Sequence, residues 1–163
     1  MQHTKKPCIC FVGPMLGKHP GWVTFPPETL ALFLEKKGYK CILTSSVKNR
    51  YLRAFDILRI LIQYHHKIDI LCLQIYGRRS FITEDIVSWL GSKFKHRIIM
   101  VLHGGTLSNF ISKYPYWTKR VLKRAHLIIA PSEYLKMLFL SMVLKNILFQ
   151  MQLIFQNIFL PVA

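Results

Sequence analysis

The chain has 163 residues, of which 52% are hydrophobic and 13% aromatic, which predicts a domain with a substantial core and excludes a disordered chain. Its 23 lysines and arginines outnumber 7 aspartates and glutamates, giving a formal charge of +16. Such an excess favours an anionic partner, namely lipid headgroups, nucleic acid or a phosphorylated substrate. A generally basic proteome is the alternative explanation.

Four cysteines lie in apolar, strand-like segments: Cys8, Cys10, Cys41 and Cys72. None forms a CxxC pair, so the pattern argues against zinc, and we expect no metal or other cofactor. Buried free thiols in a reducing compartment fit this pattern. The first apolar run stops at Gly13-Pro14, too early for a signal peptide, which predicts a cytoplasmic protein.

The first part of the chain alternates between strand and helix patterns. Residues 8–12 form an apolar run that predicts a buried strand, and the Gly- and Pro-rich connection 13–26 has the length of a functional loop. A helix is predicted from Pro27 to the glycine stop at Gly38. Its predicted apolar face consists of Leu30, Leu32, Phe33 and Leu34.

A second strand over 39–44 and a polar turn precede the strongest helical pattern, residues 50–67. One side of this helix is apolar and is predicted to face the core: Leu52, Phe55, Leu58, Leu61 and Ile62. His65 and His66 near its end are expected to be solvated or to face the helix dipole. Residues 69–75 predict the third strand.

The alternation continues to about residue 130. Helices are predicted over 83–93 and 107–123, the latter broken near Pro115, and the stretches 97–105 and 126–130 predict two more strands. Strands that alternate with helices indicate βαβ units with right-handed crossovers. The predicted fold is therefore α/β, a Rossmann-like, doubly wound, mainly parallel sheet with helices on both faces.

The fourth predicted strand is an apolar run that stops abruptly at His103-Gly104-Gly105. The two glycines permit close approach to the backbone, and open α/β sheets bind ligands beyond the carboxyl ends of their strands. His103 is therefore either a binding or catalytic group, or a polar strand-end residue bonded to a neighbouring loop. The motif by itself favours neither interpretation.

Four passages resemble the N-terminal domain of GT-B-fold glycosyltransferases of family 4, which are retaining enzymes that use nucleotide-sugars. They are residues 18–24 (KHPGWVT), 73–77 (LQIYG), 101–105 (VLHGG) and 130–134 (APSEY). Their order and spacing cover nearly all of residues 7–139. The resemblance implies that residues 1–139 form the acceptor-side half of such an enzyme. Its partners would be a nucleotide-sugar donor and a membrane lipid or growing polysaccharide as acceptor.

The resemblance also implies roles for individual residues. His103 is expected beside the donor sugar as the catalytic contact, next to Gly104 and Gly105. Gly21 matches one of two adjacent glycines that approach the donor diphosphate, whereas Trp22 stands in place of the second. The other strand-end and loop residues are expected to contact the acceptor: Lys18, His19, Tyr76, Gly77, Arg78, Ser132 and Glu133. The last two residues also fit helix capping.

In this family a second domain holds the nucleotide-sugar, so transfer requires both walls of a cleft. We expect residues 1–163 to supply one wall and to be inactive alone. Residues 140–163 form an aberrant apolar tail with Lys145 as its only charge. A membrane anchor is one interpretation. The interior glutamines argue against an anchor and favour the other interpretation, a frameshift. A back-translation of residues 149–158 in a shifted frame permits Pro-Asn-Ala-Ile-Asp, which resembles the segment that leads into the family's second domain.

A basic and aromatic segment follows the fourth predicted strand. It contains Tyr116, Trp117, Lys119, Arg120, Lys123 and Arg124. An ordinary solvated helix is one explanation. The other is docking on an anionic membrane, with the aromatic rings at headgroup level. Docking would hold a cytoplasmic enzyme peripherally on the inner face of the membrane, near a lipid-linked acceptor.

The predicted function is thus the acceptor-binding half of a retaining glycosyltransferase of the hexosyltransferase type. A basic membrane-surface or nucleic-acid-binding α/β module without catalysis is the alternative. The basic residues are scattered and match no RNP, KH or zinc pattern, so we expect no nucleic-acid partner. The first connection lacks GxGxxG, which argues against a plain dinucleotide-binding protein.

Overall fold

The computed structural model describes residues 6–17, 19–21, 24–104, 107–130, 132–134 and 137. Five parallel strands form one sheet in the order β2-β1-β3-β4-β5. They are β1 (Cys8–Val12), β2 (Lys40–Leu43), β3 (Ile70–Ile75), β4 (Arg97–Leu102) and β5 (Leu127–Ile129). The predicted doubly wound parallel α/β fold is confirmed, and every predicted strand overlaps its observed position, with ends that differ by at most about three residues.

The helices connect successive strands. They are α1 (Pro26–Lys36), α2 (Arg50–Tyr64), α3 (Phe81–Lys93), α4 (Leu107–Lys113) and α5 (Pro115–Leu122). The Asn49 side chain starts α2 by accepting the backbone N–H groups of Tyr51 and Leu52. Pro115 separates α4 from α5, as the sequence predicts. No helix within the described ranges is long and apolar enough to cross a bilayer.

Two apolar clusters cover the two faces of the sheet. The larger cluster joins alternate residues of β1, β3, β4 and β5 to α2, α3, α4 and α5. The smaller one joins the opposite residues of the strands to α1 through Ala31 and Leu34. Because helices pack on both sides, the central strands read as continuous apolar runs rather than as alternating ones.

The predicted apolar faces of the first two helices are largely wrong. On α1 the buried residues are Pro27, Glu28 and Ala31, whereas Leu30, Leu32 and Phe33 are exposed. On α2 Ile57 and Leu61 are buried, and the exposed apolar residues are Tyr51, Leu52, Phe55 and Ile62. Helical periodicity locates an apolar arc, but the contact with the sheet decides how much of that arc is covered.

The cysteines belong to the core, with one exception. Cys8, Cys10 and Cys72 are buried, whereas Cys41 on the edge strand β2 is partly exposed, and none of these four described cysteines forms a disulfide. Burial raises the pKa of Cys10 and of Cys72 to about 12. A thiol with so high a pKa stays protonated at neutral pH and is a poor nucleophile, so these two residues act as small apolar side chains.

Candidate functional site

The carboxyl ends of β1, β3 and β4 lie side by side at one edge of the sheet. Val12 pairs with Leu73, and Ile75 pairs with Leu102. From β1 the chain crosses outward to β2, whereas from β3 it crosses in the other direction to β4. The edge between β1 and β3 is therefore the topological switch point, the place where open α/β sheets bind ligands.

His103 is held at this edge by a buried amide. Its Nε2 lies 2.7 Å from Oε1 of Gln74, and its backbone N–H donates to the carbonyl oxygen of Ile75 at 2.9 Å. Gln74 is only 5% exposed. Burial lowers the pKa of His103, so the ring is neutral at pH 7. If Nε2 donates to the amide oxygen, as this network implies, Nδ1 remains as a hydrogen-bond acceptor.

Tyr76 forms an aromatic pair with His103. The two rings stack with centroids 4.4 Å apart and an interplanar angle of 14°. Burial, together with the nearby Glu84 carboxylate, raises the pKa of Tyr76 to about 12, which keeps the phenol protonated and able to donate. The edge thus carries two stacked, half-buried aromatic rings that also bear polar atoms, a combination suited to a hydroxylated ring.

Glu84 lies beneath this pair in the first turn of α3. Its Oε1 accepts the backbone N–H of Tyr76 at 3.2 Å, while Oε2 is buried without a hydrogen-bond partner among the described residues. Burial raises the pKa of Glu84 to about 7 against the effect of the hydrogen bond from Tyr76. Glu84 therefore exchanges a proton close to neutral pH, which is unusual for a carboxyl group.

Two glycines let the backbone approach these side chains. A Cβ atom at Gly13 would lie 3.0 Å from Cγ of Gln74. Gly77 adopts φ +76° and ψ −164°, a conformation that side chains rarely permit, and a Cβ there would come within 3.2 Å of Leu107 and Phe110. Glycine at 13 makes room for the amide that holds His103, and glycine at 77 lets the chain turn away after Tyr76.

The loop after β1 is tied down at several points. Glu28 of α1 is buried and accepts the backbone N–H groups of Gly17 and Phe25. Nε2 of His19 lies 2.7 Å from the Ser46 carbonyl oxygen. Gly21 is exposed at φ +80°. The predicted site residues Lys18, Trp22 and Gly105 lie outside the described residues.

The other described residues of the predicted site follow the ends of β3, β4 and β5. Arg78 and Gly104 are exposed beyond the ends of β3 and β4, and Arg78 has φ +59°. Ser132 and Glu133 are exposed just beyond β5. The structure brings two of the described site residues, Tyr76 and His103, into direct ring contact.

Some residues of the predicted basic and aromatic surface contact α3, and others are exposed. Tyr116 is 88% exposed, whereas Nε1 of Trp117 donates to Asp85 of α3 at 2.7 Å. Arg120 and Arg124 also form ion pairs with Asp85, at 2.6 Å and 2.5 Å. Lys119 is half-buried and Lys123 is exposed. Trp117, Arg120 and Arg124 thus contact the carboxylate of α3, and Tyr116 and Lys123 are the most outward members of the predicted surface.

Gln74 and Glu84 were not among the predicted site residues. Gln74 gives a recognisable signal, because it is an amide inside an otherwise apolar strand run. Glu84 looks like an ordinary first-turn carboxylate, and only its burial in the tertiary structure distinguishes it. In the described part of the chain, no group of three His, Cys, Asp or Glu side chains is placed to hold a metal ion.

Comparison with known proteins finds likeness in fold among the solved structures. No family model and no curated protein matches the chain. Among solved structures, the chain is similar to a response regulator receiver domain protein from Clostridium thermocellum, with a TM-score of 0.47 and 13% sequence identity. The alignment covers 85% of this chain and 95% of that protein.

Proposed function

We propose that the carboxyl edge of the sheet binds a hydroxylated, sugar-type ligand. In this proposal the chain is the acceptor-side half of a retaining, nucleotide-sugar-dependent glycosyltransferase. The observation that carries the proposal is the neutral His103 ring, fixed by Gln74 and stacked on Tyr76. The sequence passages around these residues are also those that resemble family 4 glycosyltransferases. In this proposal transfer requires a second domain that grips the nucleotide, because the developing charge on the diphosphate must be stabilised.

Each group has a physical role in the proposed complex. The Tyr76 and His103 rings offer their apolar surface to a sugar ring, and Nδ1 of His103 accepts a hydrogen bond from a sugar hydroxyl. Gln74 acts as a positioning residue, since its oxygen selects the Nε2–H tautomer of His103. Gly104 and Gly21 leave their backbone N–H groups accessible to the donor.

Binding of methyl glucosides to the full chain tests the proposal, because the sugar site at the sheet edge does not require the domain that grips the nucleotide. We expect His103→Phe, which keeps the stack on Tyr76 but removes both ring nitrogens, to weaken binding at least tenfold, as expected when a buried polar contact is lost. Gln74→Leu should have a similar effect, because the ring loses its fixed tautomer. Isothermal titration calorimetry measures the dissociation constants.

Gln63→Leu on the exposed side of α2 is the matched control for the amide substitution and should leave binding unchanged. The proposal is wrong if methyl glucosides fail to bind the wild-type chain. It is equally wrong if His103→Phe binds them as tightly as the wild type does.

A second candidate function, docking on an anionic membrane surface, is supported by the outward faces of α2 and α3. Ile82, Ile86 and Trp89 lie on the side of α3 that faces away from the sheet. The exposed apolar residues of α2, a helix on the same side of the sheet, include Phe55 and Ile62. Cations lie over two of the aromatic rings on these helices. Cζ of Arg50 is 4.9 Å from the ring centroid of Tyr51, and Nζ of Lys93 is 5.8 Å from that of Trp89. Apolar residues flanked by cations are typical of helices that dock on anionic lipid.

Co-sedimentation with phosphatidylglycerol vesicles tests this second function. We expect Phe55→Glu/Trp89→Glu to reduce the bound fraction at least fivefold, because two carboxylates would enter an anionic interface. Leu32→Glu/Phe33→Glu makes the same change on exposed residues of α1, on the other face of the sheet, and should bind like the wild type. Equal loss in both variants, or no binding to these vesicles, would exclude the α2–α3 surface as the docking face.

A further inference from the structure

A second cleft lies at the opposite, amino edge of the sheet. Its volume is about 620 Å³, and its walls come from the segments that lead into β1, β3 and β4 and from the end of α2. Because the strands are parallel, this edge is separated from His103 by the length of the sheet. The lining of this cleft therefore shares no residue with the proposed sugar site.

The cleft is lined by cations and imidazoles. They are His65, His66, Lys95, His96 and Arg97. Asp69 is the one acidic residue of the lining, and its Oδ2 already accepts the backbone N–H of Cys8 at 2.7 Å. The rings of His65 and Phe94 stack with centroids 4.5 Å apart and form an aromatic wall. The lining thus provides several groups that can donate hydrogen bonds to an anion, and its carboxylate already accepts a hydrogen bond from the backbone.

His96 has an unused hydrogen-bonding atom in this cleft. The residue is 6% exposed, and its Nε2 is buried with no partner in the described part of the chain. The other ring nitrogen is left to make the hydrogen bond with the Ile68 backbone. Burial lowers the pKa of His96, and the nearby His65 adds to this effect, so the ring is neutral and Nε2 acts as an acceptor. A buried polar atom of this kind indicates a ligand that would complete it.

Lys95 occupies a position that glycine usually fills. It has φ +60° and lies just after the end of α3. Its backbone N–H donates to the carbonyl oxygen of Ser92 at 3.1 Å, and the backbone N–H of His96 donates to the carbonyl oxygen of Gly91 at 2.9 Å. Such helix ends normally carry glycine at the left-handed residue. A lysine there places a cation at the mouth of the cleft despite a local conformational cost.

We propose that this amino-edge cleft is a binding site for a phosphate group, held by Lys95 and Arg97, and that the His96 ring moves on binding so that the phosphate hydroxyl donates to its Nε2. Phosphate is favoured over other anions because inorganic phosphate, and the monoanionic fraction of a phosphate monoester, combine negative charge with a P–OH proton near neutral pH. Sulfate has the same shape but lacks that proton. The ligand is either a soluble phosphate ester or the headgroup of a phosphatidic acid lipid.

Calorimetry on the full chain at pH 7, with inorganic phosphate and sulfate as probes, tests the site. We expect phosphate to bind at least fivefold more tightly than sulfate. Lys95→Gly should weaken phosphate binding at least fivefold while folding as well as the wild type, because glycine prefers this φ. His96→Phe should retain the fold and abolish the preference for phosphate over sulfate. Lys36→Gln, which removes an exposed cation of α1, should change neither value.

The proposal is overturned if the wild type does not distinguish phosphate from sulfate, or if Lys95→Gly and His96→Phe both bind phosphate as the wild type does. Two further probes identify the source of the phosphate. Saturable binding of glycerol 3-phosphate without sedimentation on phosphatidic acid vesicles supports a soluble ester. Sedimentation on those vesicles that inorganic phosphate reverses supports the lipid headgroup.

Discussion

Replacing Asp85 by alanine should lower the free energy of unfolding by about 3 kcal/mol, because it removes the carboxylate that joins α3 to α5. Asp85 accepts hydrogen bonds from Trp117 at 2.7 Å, from Arg120 at 2.6 Å and from Arg124 at 2.5 Å. The Arg124 side chain is only 18% exposed, so its charge would remain partly desolvated without a counter-charge. Arg120 is mostly exposed and contributes little by itself.

Urea unfolding followed by far-UV circular dichroism measures the loss. Asp85→Asn keeps an oxygen for the Trp117 donor but not the charge, so we expect about half of the destabilisation. Arg120→Gln is the matched control, and its effect should stay below about 1 kcal/mol. A loss below about 1 kcal/mol for Asp85→Ala would contradict a structural role for this cluster.

The Asp85 contribution also has a predictable pH dependence. Burial by itself would raise the pKa of Asp85, but the hydrogen bonds from Arg124, Trp117 and Arg120 together hold it below the usual value. A lowered carboxyl pKa in the folded state stabilises the protein above the unfolded-state pKa and ceases to do so as the pH falls through the folded-state pKa. The difference between wild type and Asp85→Ala should therefore shrink below about pH 4.

Glu84 should produce the opposite pH dependence. Its pKa is raised by burial from 4.5 to about 7. The neutral acid is thus favoured in the folded state, and this contribution is fully present below about pH 4.5 and is lost as the pH rises through about 7. At about 1.4 kcal/mol per pH unit, the wild type should lose on the order of 3 kcal/mol relative to Glu84→Gln over this interval.

Chemical unfolding of both proteins at pH 5 and pH 8 measures this difference. Glu35→Gln, an exposed substitution on α1, is the matched control and should show no comparable change. A stability difference between wild type and Glu84→Gln that is the same at both pH values would show that the carboxyl group does not titrate in this interval. An NMR titration of the Glu84 side-chain carbon gives an independent measurement of its pKa.

The position of Glu84 also affects the proposed sugar site. Its Oε1 holds the backbone N–H of Tyr76, the residue that stacks on His103. Ionisation of Glu84 strengthens this hydrogen bond, because an ionised acceptor is stronger than a neutral one. The carboxyl group is thus placed to act on the geometry of the Tyr76–His103 pair without contacting a ligand itself.

The contacts with Asp85 change the interpretation of the basic and aromatic segment that includes Trp117 and Arg124. In the sequence, Trp117 and Arg124 look like members of an exposed basic and aromatic surface. In the structure, both side chains contact a carboxylate that lies more than thirty residues earlier in the chain. Helical spacing within one segment cannot reveal such a partner, because the ion pair depends on how two helices pack on the sheet.

The sequence by itself determined the alternation of strands and helices, the parallel sheet and the position of His103 beyond a strand end. These features follow from local patterns: apolar runs of strand length, helix periodicity and glycine or proline at the boundaries. Their boundaries were predicted to within about three residues because each pattern is confined to one segment of the chain.

Only the tertiary structure decided which apolar side chains are buried and which polar groups meet. Leu52, Phe55 and Ile62 belong to the predicted apolar face of α2 and are nevertheless exposed, because the sheet covers only the arc around Ile57 and Leu61. The contact of Gln74 with His103 joins residues 29 positions apart. The cleft around His96 likewise combines the ends of several elements. Burial and long-range pairing are properties of the packed sheet, so no single segment of the sequence specifies them.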